Sequence, residues 1–270
     1  MLDPSRADGA QRQEGAVSVA APRPPLTAAA AAQDVLARDG HVVLDAALLA
    51  ALCGVQLADL MAWRRHWDDL PSDCYLRDGG HYRQRRHSCF VVRDNTVTQA
   101  PQRPHWQSVE YNALHGGIER HFEPMPAAWT TDPAWQRLLR GLAGCATHLR
   151  GEQPWYVEAH PFRITTAGGI GRPTPEGAHR DGVDFVAVIL VSRVGIKGGE
   201  TRVFDADGPR GLRFTLDEPF SALLLDDARV IHESTPIQPL DPSREGHRDT
   251  LVLTYRAGGF QGSAPGTSSP

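Results

Sequence analysis

His179 and Asp181, with Arg180 between them, and His232 further along the chain are the residues best suited to chemistry. In an extended segment, residues i and i+2 point to the same side and the one between points away. The H-x-D spacing therefore delivers an imidazole and a carboxylate to one point. A second imidazole from another strand completes two nitrogen donors and one oxygen donor on one face of a metal, leaving the opposite face open. That donor set is the usual one for non-haem iron(II), so iron is expected here ahead of zinc. A tripeptide this short is weak alone, and its surroundings carry the weight.

Those surroundings read as strands. Val183 to Val191 is a nearly continuous apolar run rich in β-branched residues, as expected of a strand covered on both faces. Gly198-Gly199 feeds a second strand through Phe204, Ala222 to Leu225 is a third, and Val230 to Ser234 carries His232 and ends at Pro236. Arg248 to Arg256 is a further strand with a cation at each end. Short strands joined by Gly, Pro and Asp turns predict a mainly β fold with flanking helices, a sandwich or jelly roll with the metal in its mouth. Helices are expected near 29–39, 46–67 and 132–149, with Asp45 as the N-cap of the second. Residues 1–28 are expected to be a disordered segment, 29–258 the folded domain, and 259–270 a flexible tail.

The order of parts resembles the iron(II)- and 2-oxoglutarate-dependent dioxygenases, which are built on a double-stranded β-helix of the cupin type. More narrowly, the chain resembles the bacterial 2OG-Fe dioxygenase group that includes free amino acid hydroxylases such as L-isoleucine dioxygenase. The stretches that carry this are Leu70 to Asp73, Tyr82 to Arg86, Tyr111 to Arg120, Pro175 to Gly182 and His247 to Asp249. The resemblance implies Fe(II), 2-oxoglutarate as cosubstrate and O2, with His179, Asp181 and His232 as metal ligands and catalytic centre. It implies hydroxylation of a free L-amino acid, an aliphatic one being favoured, with release of succinate and CO2. Desaturation, cyclisation or sulfoxidation by the same cofactors stays open, as does a non-catalytic, metal-containing jelly-roll binding module. The carboxylate of Asp181 argues against a halogenase.

Further residues acquire roles in that setting. Arg248 can clamp the distal carboxylate of 2-oxoglutarate through two parallel hydrogen bonds, and Thr250 shares its face; Arg256 is the rival clamp. Arg83 and Arg85 share one face of an alternating strand while Arg86 points away, so the first two can hold a substrate carboxylate or the near carboxylate of the cosubstrate. By resemblance, Glu176 touches a substrate amino group. His160, Tyr82, Asn112 and Arg120 are further candidates for the cavity wall. Gly168 to Pro173 does not make a nucleotide loop, since Pro173 follows directly and the G-x-G-x-x-G pattern is absent.

Composition narrows the partners. A hydrophobic content of 41% and a charged content of 22% belong to a soluble globular protein, and a net charge of −4 argues against nucleic acid. No apolar stretch approaches the roughly 20 residues that span a bilayer, and the N-terminus carries no secretory pattern. Cys53, Cys74, Cys89 and Cys145 are scattered without metal or disulfide spacing, which suits a reducing cytoplasm. The expected partner is a small molecule; the sequence leaves the oligomeric state open.

Overall fold

The apolar run after Asp181 forms most of β6 (Phe185–Val194), whose polar residues, Ser192 and Arg193, come only near its end. Phe185, Ala187, Ile189 and Val191 enter a core shared with the helices, while Val186 and Leu190 enter a second core on the opposite face. A strand buried on both sides loses the alternation of a half-exposed one. The computed structural model describes residues 23–28 and 31–262.

The elements in chain order begin with α1 (Ala32–Asp39), β1 (His41–Leu44), α2 (Ala46–Cys53) and α3 (Leu57–Ala62). Then come β2 (Arg83–Arg85), β3 (Ser88–Arg93), β4 (Thr96–Gln99), α4 (Ala127–Thr130), α5 (Pro133–Arg150) and β5 (Trp155–Thr165). After β6 follow β7 (Ile196–Gly198), β8 (Thr201–Asp205), β9 (Gly211–Phe214), β10 (Ala222–Asp226), β11 (Val230–Ser234), β12 (Ile237–Pro239) and β13 (His247–Arg256). The large antiparallel sheet runs β1-β10-β6-β13-β5-β3-β4, with β2 also on β5; β11-β8-β9 and β12-β7 make two smaller sheets. Val203, Phe214 and Val230 from the small sheet meet Val186, Leu190 and Leu225 from the large one, so the second core lies between them. This is the expected mainly β architecture, a double-stranded β-helix with flanking helices.

The helices cover the outer face of the large sheet. Asp132 caps α5 by accepting from the Ala134 N–H at 2.8 Å, Pro133 occupies its first turn, and Trp135, Leu138, Leu139, Leu142 and Cys145 are buried against the sheet. Asp45 caps α2 as expected, accepting from the Leu48 N–H at 2.8 Å. The continuous helix expected over 46–67 is not found. Gly54, at φ +63°, closes α2, and α3 and a 3-10 turn at Trp63–Trp67 follow. The break turns Trp63 and Trp67 onto Trp129, and the Trp67 indole donates to the Phe162 carbonyl of β5 at 3.0 Å.

Thr27 N–H bonds the Val43 carbonyl at 3.0 Å, so the ordered chain begins before residue 29; residues 1–22 lie outside the described ones. Phe260 and Gln261, in the segment expected to be a flexible tail, line the cavity, with the Gln261 amide donating to the carbonyls of Asp181 (2.9 Å) and Gly182 (3.0 Å); residues 263–270 lie outside the described ones. All four cysteines are free thiols. No single helix among the described residues is long and apolar enough to cross a membrane.

Candidate active site

His179 and His232 exchange backbone hydrogen bonds, N–H to carbonyl at 3.0 and 2.9 Å, as an isolated antiparallel bridge at the edge of β11. That pairing sets the two rings 4.6 Å apart. Asp181 completes the group, with Oδ1 3.9 Å from His179 Nε2 and Oδ2 3.8 Å from His232 Nε2. One ligand atom from each lies within 4.8 Å of the others. The three side chains singled out by spacing therefore converge.

Their protonation suits a cation. His179 Nδ1 sits 3.0 Å from the Gly177 carbonyl, which can only accept, so the proton stays on Nδ1 and the Nε2 lone pair faces the site. Burial, with His179 adding repulsion, holds the His232 imidazole well below its ordinary pKa and hence neutral. Burial pushes Asp181 up to about 7; His179 opposes this, while Asp227 and Glu176 add to it. A buried carboxylate crowded by two more has only the His179 imidazole to offset them, and a divalent cation on these donors would supply a stronger positive partner.

The loop that carries Asp181 is tied from behind. Asp227 accepts from the N–H groups of Asp181 (2.9 Å), Gly182 (2.8 Å) and Val183 (3.0 Å). Gly182 adopts φ +76°, and a Cβ there would fall 2.4 Å from the Tyr111 ring. Gln107 reaches Asp181 Oδ1 at 3.3 Å and also accepts from Arg120 at 3.0 Å.

Arg248 opens β13 and is 3% exposed, yet its Nε and Nη2 have no hydrogen-bond partner among the described residues. Burial, with Arg193 adding repulsion, pushes its pKa down to about 10, which still leaves it charged. Asp249 faces the other way and binds Arg163 at 2.8 Å, so it does not neutralise Arg248. A buried guanidinium with two idle donors fits a bidentate carboxylate. Thr250 lines the same cavity, of about 120 Å³. Arg256 lines it from the opposite end of β13, with Nη1 donating to the Gly259 carbonyl at 2.7 Å.

Comparison with known proteins decides what this arrangement belongs to. A family model described as 2OG-Fe dioxygenase matches residues 64–254. The chain belongs to the 2OG-Fe dioxygenase family. Its cofactors are accordingly Fe(II), 2-oxoglutarate and O2, and it is an oxygenase. Among solved structures, a bsmA homolog from Methylobium petroleophilum PM1 is 53% identical, covers 88% of this chain and 97% of its own, and superposes with a TM-score of 0.84. IDO from Bacillus thuringiensis shares the fold at 16% identity and a TM-score of 0.69, covering 86% of this chain and 97% of its own. The Fe(II)/α-ketoglutarate-dependent dioxygenase TqaL does so at 19% identity and a TM-score of 0.63, covering 85% and 87%. No curated protein matches the chain.

Beyond the candidate metal ligands, this 2OG-Fe dioxygenase builds its cavity from rows of side chains across the large sheet. Ile164 of β5 stands between Arg248 and Arg83, and Phe162 stands between Thr250 and Arg85. Arg83 Nε donates to Asp73 at 2.7 Å, leaving Nη2 without a partner among the described residues. The Arg85 guanidinium lies between the rings of Phe122 and Phe162, at 4.0 and 4.3 Å, with Nε free. Arg86 turns outward to Glu123 at 2.7 Å, as the alternation predicts. Glu176 lines the cavity beside the metal ligands, Oε1 lying 3.6 Å from His179 Nε2 and Oε2 unpartnered.

His160, Asn112 and Arg120 line the cavity, but Tyr82 does not. Its hydroxyl donates to Asp78 at 2.6 Å, and it is buried in a small apolar cluster with Ile164, Ile196 and Ile237. Sequence reasoning missed Gln107 and His105, which come from a loop, and Arg193, paired with Arg248 across β6 and β13 with an idle Nη1. It also missed Glu158 of β5. The signal there was alternation: Glu158, His160, Phe162 and Ile164 share a face, although two polar residues break the apolar pattern that marks a strand.

Proposed function

We propose that this oxygenase hydroxylates a free L-amino acid at an aliphatic carbon, releasing succinate and CO2. The observation that carries this reading is a pair of buried guanidinium groups, Arg83 and Arg85, each with an idle nitrogen in the cavity that also holds His179, Asp181 and His232. Iron(II) with 2-oxoglutarate and O2 would supply the oxidation, one oxygen atom of O2 ending in succinate as CO2 leaves and the other in the substrate C–H bond. His179, Asp181 and His232 would hold the metal. Arg248 would fix the far carboxylate of the cosubstrate, with Thr250 beside it. Arg83 and Arg85 would anchor the substrate carboxylate, and Glu176 would bound the substrate next to the metal. Phe162, Ile164, Val183, Val188 and Val252 give the apolar wall against which an alkyl side chain packs while water is kept out.

The test is incubation of the purified protein with Fe(II), ascorbate, 2-oxoglutarate and each of the twenty L-amino acids, reading succinate and product mass. Succinate release stimulated by an amino acid that gains one oxygen atom supports the reading. Loss of two hydrogens instead assigns desaturation or cyclisation. No stimulation by any amino acid, in protein that still binds 2-oxoglutarate, overturns the substrate class.

A further inference from the structure

A second group of titratable side chains lies on the same sheet face, with no atom shared with the metal triad. Glu158 and His160 come from β5, His87 precedes β3, and His105 comes from the loop above, where it pairs with Arg120. Glu158 Oε2 is approached by three imidazoles: His105 Nδ1 at 2.6 Å, His87 Nε2 at 3.3 Å and His160 Nε2 at 3.6 Å. Its other oxygen, Oε1, is buried and has no partner among the described residues, and the residue lines the cavity at 6% exposure.

Three histidines and a glutamate invite a second metal, but the hydrogen bonds argue otherwise. Arg85 Nη2 lies 2.7 Å from His160 Nδ1. A guanidinium can only donate, so His160 Nδ1 is the acceptor and the ring proton sits on Nε2, pointing at Glu158. That nitrogen has no lone pair for a metal. The cluster is a carboxylate held by His105 Nδ1 at 2.6 Å, with the Nε2 atoms of His87 and His160 close by. Burial alone would raise the Glu158 pKa, but His105, with the other two rings beside it, holds it well below the ordinary carboxylate value. Burial keeps His105 and His160 neutral.

The remaining charges specify what Oε1 receives. Arg83, Arg85 and Arg120 line this end of the cavity with Glu158 and Glu176, and Asp73 stands behind Arg83 and Arg85, so three cations meet three anions there. Arginine remains charged even where burial pulls its pKa down. A neutral zwitterion leaves that balance intact, whereas a plain acid or a plain amine upsets it. Two carboxylates compete for the ammonium. Glu176 lies against His179 Nε2, so a cation held there would abut the divalent metal and be repelled. Glu158 is separated from Arg85 by one imidazole ring, roughly the span from carboxylate to ammonium on one α-carbon with a hydrogen bond at each end.

Resting on the proposed amino-acid substrate, we propose that Glu158 Oε1 binds the substrate ammonium while Arg85 binds its carboxylate, making Arg85-His160-Glu158 the receptor for the zwitterionic head group. The head is thereby held away from the metal, and the side chain is left to face it.

Calorimetric titration of protein loaded with Mn(II) and 2-oxoglutarate tests this, using L-leucine, L-isoleucine and L-methionine against the same molecules lacking the amino group. Wild type should favour each amino acid over its des-amino counterpart. Glu158→Gln should weaken amino-acid binding about 10- to 100-fold, the span expected of a charged hydrogen bond, and leave the des-amino acids within about threefold. Glu158→Asp should recover part of the preference, and Glu176→Gln should keep it. Equal weakening of both ligand sets by Glu158→Gln, or loss of the preference in Glu176→Gln instead, overturns the assignment. So does a second divalent ion in the purified protein that Glu158→Gln removes. Wild type that binds neither set sinks the amino-acid reading itself, and this proposal with it.

Discussion

Asp227 holds Asp181 from behind: one carboxylate, buried at the end of β10, accepts the Asp181 N–H at 2.9 Å and the next two N–H groups along the chain. That loop has no helix or sheet ladder to satisfy those donors, so the orientation of Asp181 depends on a residue outside the candidate metal-binding group.

Asp227→Ala orphans three N–H groups at once. Each buried donor left unmade costs about 1 kcal/mol or more, so the melting temperature should drop by about 6 °C or more in a chain of this size. Metal affinity should fall about 10- to 100-fold, as when the support of a ligand is removed. Calorimetric titration with Mn(II) reads the second effect separately from the first. Unchanged Mn(II) affinity in a destabilised variant would reduce Asp227 to a purely structural residue.

Metal removal should be visible as lost stability. Mn(II) at a hundred times its dissociation constant adds about 2.7 kcal/mol, equivalent to about 5–10 °C in melting temperature, and EDTA should reverse it. His232→Ala should abolish the shift, since it deletes one of the two nitrogen donors. A variant that still shows the full shift places the cation elsewhere.

Arg248→Ala should raise the 2-oxoglutarate concentration needed for half-maximal succinate release by about 100-fold, the loss of two charge-assisted hydrogen bonds. Arg248→Lys should recover little of it, because an ammonium cannot present two parallel N–H groups. Arg256→Ala should leave that concentration unchanged, as Arg256 sits at the far end of β13 and is engaged by Gly259. If Arg256→Ala gives the larger effect, the clamp is there.

The sequence displays the metal end of this site more openly than the substrate end, for a physical reason. His179 and Asp181 are near neighbours in the chain, and their spacing alone brings them together; β6 and β13 are apolar enough to be read as strands. The register of β2 against β5 was less legible, since nothing local says that Arg83 should stand level with Arg248 across Ile164. Glu158 was hidden for a related reason: it is buried in a strand whose inward residues are polar, and its three imidazole partners come from positions 87, 105 and 160. The broken helix over 46–67 turned on Gly54, whose apolar neighbours on both sides masked a left-handed stop.

The Glu158 cluster also predicts how the fold responds to acid. Burial holds His105 down to about 3, against about 6.5 for an unfolded histidine. Above pH 6.5 neither state carries the proton. Below it the unfolded chain binds one and the folded chain does not, so stability falls as pH falls, by about 1.4 kcal/mol per pH unit for this histidine, down to about pH 3. His160, also held low by burial, adds a slope of the same sign. Glu158, its folded pKa depressed, contributes stability that is lost only below the unfolded carboxylate value of about 4.3, whereas Asp181, pushed up to about 7, adds a slope of opposite sign between pH 6.5 and 4.5, so the His105 part is read as the difference between a His105 variant and wild type. Urea unfolding in EDTA across that window should show His105→Asn with a slope about one proton shallower than wild type. An unchanged slope would mean that His105 already takes up its proton in the folded state, and the neutral ring donating to Glu158 would have to be abandoned.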